Sequence, residues 1–273
     1  MAVWSLDEAS GTRANQSVTS CGANCNLAPT NNPTNDTVNF REGTASGNFA
    51  RASARYLSCA IGSTCGPLNL NGNFTLVGWL RPASLPSSGN VLSWIDSETN
   101  ASTGGYFANI DSARSNHYTC GICNLSGACN ETDSGIAGAV GAWRHVACQY
   151  TASAHSLQTF VDGAASGPAM TSLTYVPESG GTIFTVSNIS PHTWDGDIDE
   201  VGVHPGAVAA SSICRISRCG IDGSLCRCDG TTPTQYKSCT TDADCGTTGK
   251  CNAGTCSGRA LACALPACNT SQP

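Results

Sequence analysis

The stretch Asp195-Gly-Asp-Ile-Asp-Glu-Val-Gly-Val-His204 places four acidic residues within six positions of a chain that carries few charges. Its apolar residues Ile198, Val201 and Val203 predict a strand that is attached to a hydrophobic core. The carboxylates are therefore candidates for three roles, which are catalysis, metal binding, and hydrogen bonding at the end of a strand. The rest of the sequence decides between them.

The cysteine content predicts an oxidising compartment. The chain has 273 residues, of which 18 are cysteine. Cytosolic proteins rarely hold so many, whereas disulfides persist in secreted proteins. We therefore expect an extracellular or cell-surface protein. Eight N-x-S/T sequons agree with this location, although an Asn-, Ser- and Thr-rich chain also produces sequons by chance. They begin at Asn15, Asn35, Asn73, Asn100, Asn124, Asn130, Asn188 and Asn269.

Charge and hydropathy exclude two classes of partner. The net charge is -6 with 13 Lys and Arg residues and no basic run, which argues against nucleic acid. No apolar run approaches the ~18 residues of a membrane span. An exported protein should begin with a charged and then apolar leader, but residues 1–4 already read as patterned sequence. We expect either a removed leader or a segment of a longer chain.

Short strand-length runs predict an all-β fold for residues 1–213. In the run 74–81, the residues Phe74, Leu76, Gly78 and Leu80 fall on one side of a strand. No segment shows a sustained helical period. We predict a two-sheet antiparallel jelly-roll sandwich with long loops. The other strand runs are 143–150, 157–162 with a tight turn at Asp162-Gly163, 182–187 and 198–203.

The composition changes near Cys214. Residues 214–273 hold ten cysteines and the single aromatic residue Tyr236, too little apolar material for an ordinary core. We therefore predict two regions, a sandwich at 1–213 and a disulfide-stabilised, loop-rich tail at 214–273. The front eight cysteines are expected to pair within the sandwich. Cys21/Cys25 and Cys59/Cys65 look like loop staples, and three pairings are open to Cys120, Cys123, Cys129 and Cys148.

Five sequence landmarks follow one another along the chain. They are Trp4-Ser-Leu-Asp-Glu-Ala-Ser-Gly-Thr-Arg13, Phe74-Thr-Leu-Val-Gly-Trp79, Trp143-Arg-His-Val-Ala147, Leu157-Gln-Thr-Phe-Val-Asp-Gly163 and Trp194-Asp-Gly-Asp-Ile-Asp-Glu-Val201. In this order they resemble the strands of laminin-G-like (concanavalin A-like lectin/glucanase) jelly-roll domains. The resemblance implies the sandwich fold over about 200 residues. Family members bind ligands through loops that here carry cysteines, so the resemblance does not imply a particular ligand.

The tail resembles a different kind of sequence. The spacing from Cys239-Thr-Thr-Asp-Ala-Asp-Cys245 to Gly249-Lys-Cys251-Asn-Ala-Gly-Thr-Cys256 is similar to short cysteine modules of secreted, often bacterial, surface proteins. This resemblance implies a disulfide knot and no activity.

Catalysis by the acidic strand is disfavoured. Glycoside hydrolases of the same broad fold use the strand motif E-x-D-x-x-E, and retaining enzymes need two carboxyls ~5 Å apart. Asp195, Asp197 and Asp199 share one face of a strand at roughly 7 Å spacing, but that motif order is absent. A carbohydrate-active enzyme, glucanase-like or lyase-like, therefore stands as the alternative to a non-catalytic module.

Metal binding has one plausible form. The spacing Asp195-x-Asp-x-Asp imitates a helix–loop–helix calcium loop, but Glu200 and Gly206 occupy positions that need Gly and Glu. Many jelly rolls carry a structural calcium ion, and the first and last strands of a sandwich can be neighbours. We predict that the ligands of such a structural Ca²⁺ would be Asp7, Glu8 and Asp199.

The structural interpretation is favoured over both. Here Asp199 and Glu200 accept backbone N–H groups at a strand end, or pair with Arg13 or Arg215. Zinc at Cys120-x-x-Cys123 with His117 is disfavoured, because a second Cys/His pair at finger spacing is missing.

These arguments predict no catalytic residues and no cofactor other than calcium. We predict a secreted or cell-surface module for adhesion, recognition or extracellular structure. Its partner would be a glycan or protein ligand, or further copies of itself in an extracellular assembly or filament.

Overall fold

The computed structural model describes residues 1–17, 21–61, 65–97, 103–126, 128–179, 183–219, 250–252 and 255–257. The chain divides into two compact units. One comprises Met1–Val161 and Ala165–Val208, and the other comprises Asp162–Ala164 and Ala209–Pro273. Most of the tail predicted at 214–273, including most of its cysteine motif, lies outside the described residues.

Two antiparallel sheets form the first unit. The strands are β1 (Ala2–Trp4), β2 (Ala28–Thr30), β3 (Thr34–Asp36), β4 (Ser46–Phe49), β5 (Tyr56–Ala60), β6 (Phe74–Pro82), β7 (Val91–Asp96), β8 (Gly105–Asp111), β9 (His117–Cys123), β10 (Cys129–Ala137), β11 (Arg144–Thr151), β12 (Ser156–Val161), β13 (Ala164–Met170), β14 (Ile183–Val186) and β15 (Gly196–His204). Short 3-10 helices lie at Gly22–Cys25, Arg51–Ser53, Gly66–Leu68, Ser112–Arg114 and Ala152–Ala154.

The strand order is that of a jelly-roll sandwich. The first sheet runs β13-β12-β11-β6-β15-β4-β3, with β1 also paired to β15, and the second runs β10-β9-β8-β7-β14-β5-β2. The predicted fold class is confirmed. The first and last strands of the sandwich are neighbours, since Trp4 of β1 lies opposite Val201 of β15. The predicted Asp162-Gly163 turn joins β12 to β13, and both residues have positive φ.

The core lies between the two sheets, as the alternation in β6 predicts. Phe74, Leu76 and Leu80 belong to the buried apolar cluster. Gly78 faces the same way, and a Cβ there would lie 3.0 Å from the ring of Trp94. The inward side of β6 therefore alternates large residues with one small position that accommodates an indole from the opposite sheet.

All eight cysteines of the sandwich form disulfides. The two loop staples are confirmed, as Cys21–Cys25 and Cys59–Cys65. Of the three pairings open to the other four cysteines, the structure contains Cys120–Cys148 and Cys123–Cys129. Cys120 lies on β9 and Cys148 on β11, so this bond joins the two sheets through the core.

The second unit contains one helix, α1 (Ala210–Cys219), and a hairpin of β16 (Lys250–Asn252) and β17 (Thr255–Ser257). The sequence analysis did not single out α1, because it found no sustained helical period. The helix has ten residues, and only Ile213 and Ile216 mark its apolar side, too short a pattern to register as a sustained period. It also crosses the boundary predicted between residues 213 and 214.

Candidate functional site

Asp199 on β15 accepts hydrogen bonds from the loop formed by residues 41–45. Asp199 is fully buried. Its Oδ2 accepts the backbone N–H of Arg41 at 2.6 Å and that of Glu42 at 3.1 Å, and its Oδ1 accepts the N–H of Glu200 at 2.9 Å. Three amide donors therefore converge on one carboxylate.

Asp7, which follows β1, binds the other half of the same loop, residues 41–45. Its Oδ1 accepts the backbone N–H of Thr44 at 2.6 Å and that of Ala45 at 2.8 Å. Gly43, between the two halves, has a φ of +67°, and a Cβ there would lie 2.3 Å from Asp7 Oδ2. The loop can approach this carboxylate closely only because residue 43 is glycine.

The electrostatics of this pair follow from burial. Burial raises the pKa of Asp199 well above its ordinary value, and the nearby carboxylates of Glu42 and Asp7 raise it further. The amides of Arg41 and Glu42 act in the opposite direction, because they stabilise the charged form. The structure thus brings Asp7 and Asp199 together, as the pairing of first and last strands predicts.

Glu8 is oriented differently. Its Oε1 accepts the N–H of Ala14 at 2.8 Å, and its Oε2 lies 3.8 Å from Arg13 Nε. Arg13 thus pairs with Glu8, although the sequence also suggested Asp199 or Glu200 as its partners.

The three residues predicted to bind calcium do not gather around one point. Within the described ranges, no group of three or more His, Cys, Asp or Glu side chains is arranged to hold a metal ion. Ca²⁺ needs six to eight oxygens, while the bonded oxygens of Asp7 and Asp199 already accept backbone amides. This geometry does not fit the ion, and the calcium site stays a prediction.

Asp195, which directly precedes β15, and Asp197 of β15 are also engaged by neighbouring groups. Asp195 accepts Ser84 Oγ at 2.6 Å and the N–H of Arg51 at 3.2 Å. Asp197 accepts Asn48 Nδ2 at 2.7 Å and forms an ion pair of 2.7 Å with Arg81. Burial raises the pKa of Asp197, which the hydrogen bonds from its two partners oppose. These contacts tie β15 to its flanking strands and loops.

His145 packs on the outer face of the first sheet. Its ring meets that of Trp79 edge-on at 5.2 Å, and the Arg41 guanidinium lies 4.2 Å from the centroid of Trp79. Burial lowers the pKa of His145 to about 3, and the charge of Arg41 contributes in the same direction. The histidine is therefore neutral at ordinary pH, in agreement with the prediction of a packed residue.

The cysteines considered as zinc ligands are not available. Cys120 and Cys123 are each consumed by a disulfide, so neither sulfur is available as a thiolate. His117 instead places Nδ1 2.7 Å from Asp133 Oδ1.

A second cluster, on the outer side of the second sheet, was missed by sequence reasoning. The side chains alternate with core residues along β8, β9 and β10, so they share the side that faces away from the core. We call this set the outer polar face. Its members are Phe107, Asn109, Asp111, Arg114, His117, Thr119, Glu131 and Asp133.

Two carboxylates of the outer polar face share one cation. Arg114 Nε lies 3.3 Å from Glu131 Oε2 and 3.5 Å from Asp111 Oδ2. Thr119 donates its hydroxyl to the other oxygen of Glu131. Burial raises the pKa of Glu131, with the charge of Asp111 adding to the effect.

Asp133 behaves in the opposite way. Burial alone would raise its pKa, but hydrogen bonds from the N–H of Gly135 and from His117 lower it overall. Glu131 and Asp133, two positions apart on β10, are thus shifted in opposite directions. The sequence does show the alternation of outward and inward residues in Gly105–Asp111 and in residues 131–133. These residues can be recognised as one surface only when the pairing of β8, β9 and β10 is known.

Phe107 lies over a glycine at one end of this face. Gly121 is its partner across β8 and β9, and a Cβ at 121 would lie 2.0 Å from the ring. The ring covers the glycine and is itself only half-buried. The result is an aromatic surface that remains partly open to solvent among polar groups.

Solved structures with this architecture are known. Domain 4 of an extracellular GH43 arabinanase from Geobacillus stearothermophilus, in complex with arabinotriose, is 13% identical with a TM-score of 0.54, covering 79% of this chain and 97% of that one. The receptor-binding domain of botulinum neurotoxin mosaic serotype C/D is 10% identical with a TM-score of 0.59, covering 83% and 51%. At these identities the likeness concerns the fold alone. No curated protein matches the chain.

No helix in the described part of the chain combines the length and apolarity that crossing a bilayer requires.

The family model described as concanavalin A-like lectin/glucanases superfamily (Laminin_G_3) matches residues 53–214, more than half of the chain. The matched range contains β5 to β15 and three of the four disulfides of the sandwich. The chain therefore belongs to the concanavalin A-like lectin/glucanases superfamily.

Proposed function

We propose that this protein is a non-catalytic recognition module of a secreted or cell-surface protein, with a glycan or protein as its ligand. Its family includes lectins and glucanases. The structures of similar fold include a domain in complex with arabinotriose and a receptor-binding domain of a neurotoxin. The first was solved with a bound trisaccharide and the second is named for receptor binding, and they support binding for this chain by analogy.

One observation carries the non-catalytic part of the proposal. Each aspartate of the acidic strand is engaged by structural donors: Asp195 by Ser84, Asp197 by Arg81, and Asp199 by three backbone amides. A glycosidase pair needs two carboxyls that face a sugar from opposite sides. Carboxylates that hold loops and strands together are poorly placed for that role.

The test combines turnover with stability. Wild type, Asp197→Asn and Asp199→Asn would be incubated with a polysaccharide panel, and their thermal unfolding recorded. We expect no turnover by any of the three and lowered melting temperatures for the variants. Wild-type turnover that Asp197→Asn abolishes without a change in melting temperature would instead establish the carbohydrate-active enzyme.

The extracellular location is part of the same proposal. Four disulfides in the sandwich and a bonded Cys214 favour an oxidising compartment. Mass spectrometry of native material should find few or no free thiols, and abundant free thiols would contradict the location.

The recognised partner can also be a second copy, as in an extracellular assembly. Size-exclusion chromatography at high concentration tests this form, and a clean monomer would remove it. Calcium is tested in the same preparation, because EDTA should lower the melting temperature only if an ion is bound.

A further inference from the structure

The outer polar face contains a buried acceptor that no described residue satisfies. Asn109 on β8 is only 6% exposed, and its Oδ1 has no hydrogen-bond partner within the described part of the chain. Its neighbours across the sheet are Ser93 and Thr119. A buried polar atom without a partner is destabilising, so it calls for an explanation. A ligand hydroxyl that donates to this oxygen would supply one.

A second acceptor, Asp133, lies two strands away from Asn109 in the same row of the sheet. Asp133 is opposite Thr119, which is in turn opposite Asn109, so the three side chains form a row across β10, β9 and β8. The N–H of Gly135 and the ring of His117 both use Oδ1 of Asp133. The side chain of Asp133 is 37% exposed. Its Oδ2 is therefore a carboxylate oxygen available to a donor from solvent or from a ligand.

The aromatic surface lies in the adjacent row. Phe107 lies two residues from Asn109 along β8, on the same side of the sheet, and its half-buried ring rests on Gly121. Sites for small ligands combine an apolar or aromatic surface with a few fixed polar groups. An aromatic ring beside carboxylate and amide acceptors is suited to a ligand with one C–H-rich side and several hydroxyl donors.

The charge of the face selects against anions. Three carboxylates, Asp111, Glu131 and Asp133, stand against the guanidinium of Arg114 and the ring of His117. Arg114 is already shared between two of the carboxylates. An anionic ligand would meet net negative charge and no free cation among the described side chains of this face.

We propose that the outer polar face is a binding site for a neutral carbohydrate, with Phe107 stacking on one side of a sugar ring and with Asn109 and Asp133 accepting its hydroxyls. This inference rests on the proposed recognition function and deepens it, because it assigns the ligand class and the surface. The site lies on the second sheet, away from the acidic strand β15 of the first sheet.

The experiment uses the full chain and an array of neutral and uronic-acid-containing oligosaccharides, followed by calorimetric titration of the best neutral binder. Phe107→Leu keeps an apolar cover over Gly121 but removes the ring. Asn109→Ala removes the unsatisfied oxygen. The matched control is Tyr56→Leu, a half-buried aromatic residue on β5 of the same sheet.

We expect wild type to bind neutral members in preference to acidic ones. Phe107→Leu and Asn109→Ala should each weaken binding at least tenfold, and Tyr56→Leu less than twofold. Thermal unfolding separates binding from folding. Because Oδ1 of Asn109 has no hydrogen-bond partner within the described residues, Asn109→Ala should leave the melting temperature unchanged or raise it, whereas a purely structural asparagine would lower it.

Two results would overturn the inference while leaving the recognition function standing. One is glycan binding that neither Phe107→Leu nor Asn109→Ala weakens, which places the site elsewhere. The other is binding of a protein ligand with no binding to any glycan on the array. Preference for acidic glycans would likewise reject the neutral ligand class.

Discussion

The contacts of Asp199 lead to a prediction about stability that can be worked out bond by bond. In Asp199→Ala, the amides of Arg41, Glu42 and Glu200 lose their acceptor together. A hydrogen bond of this kind contributes about 1 kcal/mol net, so three give a loss of about 3 kcal/mol. The same aspartate pays a desolvation cost, because burial raises its pKa. Removing the carboxylate also removes this desolvation cost, and the freed amides of the loop can bond to water. The expected loss of unfolding free energy is therefore about 3 kcal/mol and not larger.

The control is Asp195, the aspartate that directly precedes the same strand. Asp195 accepts two hydrogen bonds, is only partly buried, and should cost about 1 kcal/mol when replaced by alanine. Urea unfolding followed by tryptophan fluorescence measures both losses. In thermal unfolding, Asp199→Ala should lower the melting temperature by about 6–12 °C, at about 2–4 °C per kcal/mol. Equal losses for the two variants would refute the interpretation of Asp199 as the anchor of loop 41–45.

Two further predictions concern cross-links and pH. Removing the inter-sheet bond in Cys120→Ala/Cys148→Ala, with a sequence separation of 28, should cost about 3.6 kcal/mol, against about 1.9 for Cys21→Ala/Cys25→Ala with a separation of 4. Denaturant unfolding of both double variants measures the difference, and an equal cost would contradict the loop-entropy estimate. The native state keeps His145 neutral down to a pKa of about 3, whereas the unfolded chain takes up a proton near 6.5. His145 alone should therefore lower the stability by about 2.5 kcal/mol between pH 7 and pH 4.5, and His145→Gln should weaken the dependence of stability on pH in urea unfolding.

Much of the sandwich could be predicted because its strands carry their own pattern. The alternation of Phe74, Leu76 and Leu80 specifies which side of β6 is buried without any knowledge of its neighbours. The disulfides Cys21–Cys25 and Cys59–Cys65 were predictable for a similar reason, since each closes a short loop. Pairing of Cys120 with Cys148 depends on two strands in different sheets, which a linear spacing does not encode.

The sites were harder to predict from the sequence, because they also depend on contacts between distant segments. The roles of Asp7 and Asp199 depend on a loop at 41–45 that carries no recognisable motif apart from Gly43. The acidic residues of 195–200 are conspicuous in the sequence because the chain has few charges. The outer polar face takes two or three residues from each of three strands and one from a 3-10 helix, so no short stretch of sequence reveals it. Only the register of β8, β9 and β10 makes them neighbours.

The bond between Cys120 and Cys148 has a consequence beyond its contribution to folding. Cys120 points inward from β9, while Thr119 and Gly121 on either side of it point outward beneath the row of acceptors and the phenyl ring. The disulfide thus links β9, the middle strand of the proposed sugar-binding site, to the opposite sheet. The carbohydrate binding proposed for this face would therefore depend on the redox state of its surroundings, because a reducing environment that cleaves the bond removes the link behind the site.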